Sequence, residues 1–229
     1  MKKLISAIIF SLLISFPALS EINVGVSGSV IGFYGEGTEI ETNNDGTKTK
    51  TQSAGAFEEN MNEIFVEFDA GNVIFGISYN PEKIETPENT NLQTNSEINN
   101  IKSATNTVKA TFKDLTTVYA IVPTGFYGLY GKIGLVQADI DTLEVLGTGG
   151  QYANTDTDGV VAGFGFQYDV DKFFVRVEAM ASRYDDVELD NQNKQEPLSG
   201  SGDGETTAKR IKVEEMMSAN ATIAIGYSF

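Results

Sequence analysis

The sequence predicts an all-β chain closed into a transmembrane antiparallel up-and-down β-barrel of eight strands, with short turns at one end and long loops at the other. Three observations predict it. Eight segments alternate apolar residues with small or polar ones, the period of two that a strand with two unlike faces requires. The connections between those segments alternate long and short. Beyond its first residues the chain has no apolar run long enough for a spanning helix, yet its last strand is apolar on one face up to a terminal aromatic.

The chain opens with a leader. Met1, Lys2 and Lys3 are a basic start, residues 4–16 are apolar, and Ala18 and Ser20 put small residues at −3 and −1 before Glu21. This pattern is a cleaved secretory signal peptide over residues 1–20, which leaves 21–229 as one barrel domain. Losing Lys2 and Lys3 takes the formal net charge from −16 to −18. Such acidity excludes nucleic acid and an anionic membrane surface as partners. The sequence has no Cys, so an exported chain that is free to form disulfides forms none.

The first run sets Ile22, Val24, Val26, Val30 and Tyr34 against Asn23, Gly25, Ser27 and Ser29. The second sets Ile64, Val66 and Phe68 against Glu63, Phe65, Glu67 and Asp69, and Ala70-Gly71-Asn72 turns it into the third, Val73, Phe75, Ile77 and Tyr79 against Ile74, Gly76 and Ser78. The fourth, residues 108–122, has two parities: Thr116, Val118, Ala120 and Val122 face outward, or Leu115, Thr117, Tyr119 and Ile121 do. The fifth sets Leu129, Gly131, Ile133 and Leu135 against Tyr130, Lys132, Gly134 and Val136. In the sixth, Val160, Ala162, Phe164, Phe166 and Tyr168 oppose Val161, Gly163, Gly165 and Gln167. In the seventh, Phe173, Val175, Val177, Ala179 and Ala181 oppose Phe174, Arg176, Glu178, Met180 and Ser182. The eighth ends the chain: Ala219, Ala221, Ile223, Ile225, Tyr227 and Phe229 alternate with Ser218, Asn220, Thr222, Ala224, Gly226 and Ser228.

The long connections, 35–57, 80–106, 141–158 and 187–212, fall at one end of the barrel, and the short ones, 70–72, 123–127 and 169–172, at the other. An even strand count with both termini on the short-turn side closes the sheet and leaves no edge. A soluble eight-stranded lipid-binding barrel would put the apolar face inward instead. The lipid-facing reading is favoured because the other face is largely Gly, Ser, Ala and Thr, and because Tyr34, Tyr79, Tyr168, Phe173, Tyr227 and Phe229 sit near strand ends, where interfacial girdles belong.

Ile223, Ile225, Tyr227 and Phe229 resemble the C-terminal assembly signal of bacterial outer-membrane proteins, which the barrel-assembly machinery reads. The strand-and-loop plan of the mature chain is similar to the small eight-stranded outer-membrane barrels of the OmpA, OmpX and opacity-protein type. That resemblance implies a monomer in the bacterial outer membrane with membrane lipids as neighbours. The sequence stops at the barrel, so nothing corresponds to a peptidoglycan-binding domain.

Charges on the inward parity are Glu63, Glu67, Lys132, Arg176 and Glu178. With the opposite parity each basic residue near the midplane costs about 2–4 kcal/mol in hydrocarbon, so they point into the lumen and must pair there. The resemblance to OmpA-type barrels implies an interior charge network that blocks or gates the lumen. With neither His nor Cys, the chain lacks the central residues of serine hydrolysis, thiol chemistry and histidine metal sites, so neither an enzyme nor a cofactor is expected. The carboxylate pairs Asp139 with Asp141 and Asp185 with Asp186 read as solvated acidic surface. Loop acids at Asp156-Thr157-Asp158 and Asn43-Asn44-Asp45-Gly46 offer oxygen ligands for divalent cations without forming a Ca²⁺ loop, and extracellular ligands are the other candidate partners of the loops. Lys209, Arg210 and Lys212 are a basic cluster beside the bilayer, opposed at once by Glu214 and Glu215. The expected function is structural or surface-interacting through long acidic loops. A small channel using the charged lumen is the alternative, and a secreted soluble binding barrel the remote one.

Overall fold

A computed structural model describes residues 21–42, 48–97, 100–145, 152–190 and 208–229. The leader and the segments 43–46 and 147–150 lie outside the described residues. The described strands are β1 (Glu21–Thr42), β2 (Lys48–Asp69), β3 (Ile74–Tyr79), β4 (Ile84–Glu85), β5 (Asn89–Glu97), β6 (Asn100–Pro123), β7 (Leu129–Val145), β8 (Thr155–Val170), β9 (Phe173–Tyr184), β10 (Val187–Asp190) and β11 (Ala208–Ser228). Each alternating run lies in one of β1, β2, β3, β6, β7, β8, β9 and β11, and these eight pair in that order, with β11 returning to β1. Every pairing is antiparallel. Two short extensions, β4 and β5, continue the wall along β6, and β10 continues it along β11.

The ring is sheared as a closed barrel must be. Following paired residues from Ile22 through Phe68, Phe75, Ala120, Ile133, Ala162, Ala181 and Ala219 returns to β1 at Gly32, ten residues further on. The apolar faces point outward. Val26, Ile64, Ile133, Phe164, Val177 and Ile223, on six of the eight ring strands, are all more than half exposed. On β6 the open parity is settled: Leu115, Thr117, Tyr119 and Ile121 are buried inside, while Val122 is exposed. A bulge between Lys113 and Thr116, with Asp114 at φ 52°, shifts the phase above that point.

The strands run much further than the alternation indicates. Where described, the segments read as long connections at 35–57, 80–106, 141–158 and 187–212 are largely ladder: β1 continues to Thr42, β2 begins at Lys48 and β6 at Asn100. The physical reason is that above the membrane the outer face meets water and needs no apolar residues, so the backbone pairs without the regular period that announces a lipid-facing strand, although Phe57, Ile84 and Val187 pack inward there. Asp156, Thr157 and Asp158, read as loop-like, lie inside β8. The wall is also incomplete on one side. β3 pairs with β2 only from Ile64 to Asp69, so above Ile64 the strand β2 is paired to β1 alone among the described residues.

Candidate functional site

Eight strands leave a lumen just wide enough for side chains, and here it is filled in two layers. The layer nearer the short turns is polar. Arg176 of β9, 1 % exposed, reaches across the barrel to Glu67 of β2, also 1 % exposed. Its Nη2 donates to Glu67 Oε2 at 2.8 Å and its Nη1 to Glu67 Oε1, a bidentate charge-assisted pair. Arg176 Nε donates to Gln167 Oε1 at 2.6 Å, and the guanidinium lies 4.4 Å from the Phe174 ring centroid. Glu67 also accepts from Tyr119 OH at 2.8 Å and from Asn23 Nδ2 at 3.4 Å, and Ser228 Oγ donates to Asn23 Oδ1 at 2.7 Å. Beside this pair, Glu178 accepts from Tyr130 OH at 2.6 Å and from Lys132 Nζ at 2.9 Å. The Lys132 ammonium sits 4.0 Å over the Tyr119 ring, which ties the two halves together. Glu63 accepts from Ser78 Oγ at 2.8 Å and Ser27 Oγ at 3.5 Å.

Of the inward charges read from sequence, Glu67 meets Arg176 and Glu178 meets Lys132, while Glu63 contacts only hydroxyls among its hydrogen-bond partners. Sequence reasoning assigned no role to Tyr119, Tyr130, Gln167 or Asn23, which complete the network. Parity placed Tyr130, Gln167 and Asn23 inward, but Tyr130 and Asn23 meet partners 48 and 44 residues away, while Gln167 meets Arg176 across the β8–β9 hairpin.

The space for the aromatics comes from glycine. Four inward aromatic residues stand directly opposite an inward glycine on the neighbouring strand: Phe65 opposite Gly25, Tyr119 opposite Gly76, Tyr130 opposite Gly165 and Phe174 opposite Gly226. A Cβ at Gly226 would fall 2.1 Å from Phe174 Cζ, and one at Gly25 2.2 Å from Phe65 Cζ. Each pair thus holds one large side chain and one absent one.

The second layer is apolar. Ile31, Phe33, Met61, Ile84, Leu115, Val136, Ile140, Tyr184, Val187 and Met216 form one buried cluster. Phe33 stacks on Phe57 and Phe112, with centroids 5.0 and 5.7 Å away, and Tyr184 tilts against it at 6.5 Å. On each strand the cluster lies nearer the long-loop end than the network does: Phe33 lies beyond Asn23, Met61 beyond Glu67, Leu115 beyond Tyr119 and Tyr184 beyond Glu178. A charged plug therefore lies beneath an apolar one.

Beyond the outward apolar band the ion pairs are exposed or half-buried. Lys109 meets Glu85 at 2.6 Å and Lys113 meets Asp141 at 2.7 Å. Donation from Lys109 holds the Glu85 carboxyl below its ordinary value, and Asp141 raises Lys113. Arg210 pairs with Glu188 and Asp190, and Lys212 with Asp186, so these two members of the basic cluster are engaged by acids of the same sheet. Among the described residues no group of three or more His, Cys, Asp or Glu is placed to hold a metal ion.

The architecture has counterparts among solved structures. The outer membrane protein OprG from Pseudomonas aeruginosa superposes with a TM-score of 0.52 at 11% identity, over 92% of this chain and 96% of that one. The fold is that of a small eight-stranded outer-membrane barrel. Neisserial surface protein A is similar with a TM-score of 0.36 at 8% identity, over 87% of this chain and 97% of that one. The N-terminal β-barrel domain of Pseudomonas aeruginosa OprF gives 0.35 at 12% identity, over 90% and 99%. No family model and no curated protein matches the sequence.

Proposed function

We propose that this barrel resides in the bacterial outer membrane as a closed, non-enzymatic scaffold that acts through the polar sheet and acidic loops standing above the bilayer. One observation carries the reading: the Glu67–Arg176 pair crosses the lumen and the Phe33–Phe57–Phe112 stack lies above it. Two side-chain layers of opposite character across the lumen support a closed interior. The absence of His and Cys from the sequence supports the lack of catalysis. The extended ladder of β1, β2 and β6 supports a role outside the hydrocarbon, where extracellular ligands or divalent cations would meet the acids. The leader of residues 1–20 supports export, and Ile223, Ile225, Tyr227 and Phe229, on the outward face of β11, support delivery through the barrel-assembly machinery. The one-domain closed ring with no free seam between β1 and β11 supports a monomer.

A second reading, a narrow gated ion path, is favoured by Glu63, a lumen carboxylate bonded to hydroxyls beside a network whose cations are engaged elsewhere. Single-channel recording of the refolded mature chain in a planar bilayer decides between the two. A silent, fully inserted barrel supports the scaffold. A steady conductance that changes in Arg176→Met or Glu67→Gln overturns it in favour of the pore.

A further inference from the structure

The outward apolar band has unequal height around the ring. Its lower rim is level, since Phe68, Val73, Leu129, Phe173 and Phe229 all stand beside short turns or the terminus. Its upper rim is not. On β1 and β11 outward apolar residues run from Ile22 to Tyr34 and from Phe229 back to Met217. With about 3.3 Å of rise per residue and a tilt near 40°, that is roughly 30 Å of height, enough to cross the hydrocarbon. On β2 the same face turns polar above Ile64: Asn62, Asn60 and Glu58 are exposed there. The step is abrupt, because these residues are direct cross-strand neighbours of apolar or small positions on β1, with Asn60 opposite Val30 and Asn62 opposite Gly28. Val30 is 47 % exposed on the same outer surface. β3 stops at Tyr79, and the following turn brings Glu82 to accept from Asn62 Nδ2 at 3.0 Å, so the polar patch is continuous across the place where the wall is unpaired.

Leaving Asn60, Asn62 and Glu82 against acyl chains is costly, since hydrocarbon offers polar groups no partner. Tilting the whole barrel would drag the level lower rim out of register on the opposite side. The bilayer adapts more cheaply, at fractions of a kcal/mol per ångström of mismatch. We propose that the protein thins the outer leaflet along its β2–β3 face, so that lipid headgroups and water stand at Asn60 and Asn62 while acyl chains cover Val30 beside them.

The chain has no Cys, so single-cysteine variants can be labelled without background. Asn60→Cys, Asn62→Cys and Val30→Cys, each carrying a small fluorophore on the full mature chain refolded in phosphatidylcholine vesicles, are challenged with aqueous iodide and with lipids bearing a nitroxide on the acyl chain. The expected result is several-fold stronger iodide quenching at positions 60 and 62 than at 30, with the acyl nitroxide showing the reverse order. Acyl quenching at position 30 also reports that the barrel spans the bilayer, so loss of that signal marks failure of insertion and not of the thinning. Two outcomes overturn the inference: equal acyl quenching at 60, 62 and 30, or shielding of 60 and 62 from both quenchers, which would place a second copy of the chain against β2.

Discussion

Arg176→Met removes one partner of a buried ion pair and leaves the other in place. Met follows the same path past the Phe174 ring and fills most of the space, so the cost is chiefly electrostatic. Glu67, 1 % exposed, keeps only the Tyr119 hydroxyl and the longer Asn23 amide, and Gln167 Oε1 loses its donor. Breaking a buried pair in this way costs about 3–5 kcal/mol. Adding Glu67→Gln cancels the stranded charge and keeps an acceptor for Tyr119 OH, so the double variant should regain all but about 1–2 kcal/mol, the worth of the ionic hydrogen bonds over neutral ones. The sequence contains no Trp, so the assay is urea unfolding of the vesicle-inserted barrel followed by far-UV circular dichroism and by the gel mobility shift of folded barrels. Single and double variants together form a double-mutant cycle. The reasoning is refuted if Arg176→Met alone lies within about 0.5 kcal/mol of the parent, where exposed ion pairs fall, or if Glu67→Gln does nothing to rescue it.

Two further outcomes follow from the wall. Val177, 56 % exposed on the outer face of β9, should cost about 2–4 kcal/mol when replaced by Arg, whereas Arg at exposed Thr51, far up β2, should be neutral; equal effects in the same unfolding assay would mean that β9 does not face hydrocarbon. Gly226→Ala, whose Cβ meets Phe174, should destabilise by about 1–3 kcal/mol through overpacking, while Gly131→Ala, with open space around it, should not; a tolerated Gly226→Ala would show that Phe174 moves freely.

The reach of the sequence can be seen strand by strand. On β9, Phe173, Val175 and Val177 alternate with Phe174, Arg176 and Glu178 without interruption, and the orientation of every side chain follows from that. On β6 the alternation fails, because each face mixes one Thr with apolar residues, Thr116 with Val118 and Val122 and Thr117 with Leu115 and Ile121, and the Asp114 bulge breaks the phase. The upper halves of β1, β2 and β11 carried no regular signal, since their outer face meets water and only scattered residues such as Phe57, Val213 and Met216 pack inward. The apolar plug was hidden for a related reason. Ile31 and Phe33 point inward from a strand whose outward face is also apolar, and a two-sided apolar stretch reads only as a strand, without saying what it meets.

The sequence by itself determined the strand count of the ring, the outward face of seven of the eight runs and the end at which the short turns lie, because these rest on local periodicity and on the lengths of the connections. Only the tertiary structure decided that Glu67 meets Arg176 from 109 residues away, that Gly25, Gly76, Gly165 and Gly226 each face an aromatic ring, and that the polar patch of β2 sits beside Val30. Those pairings depend on register and shear, which are properties of the closed ring: a strand's own residues set which way its side chains point, but its neighbours set which side chains they meet.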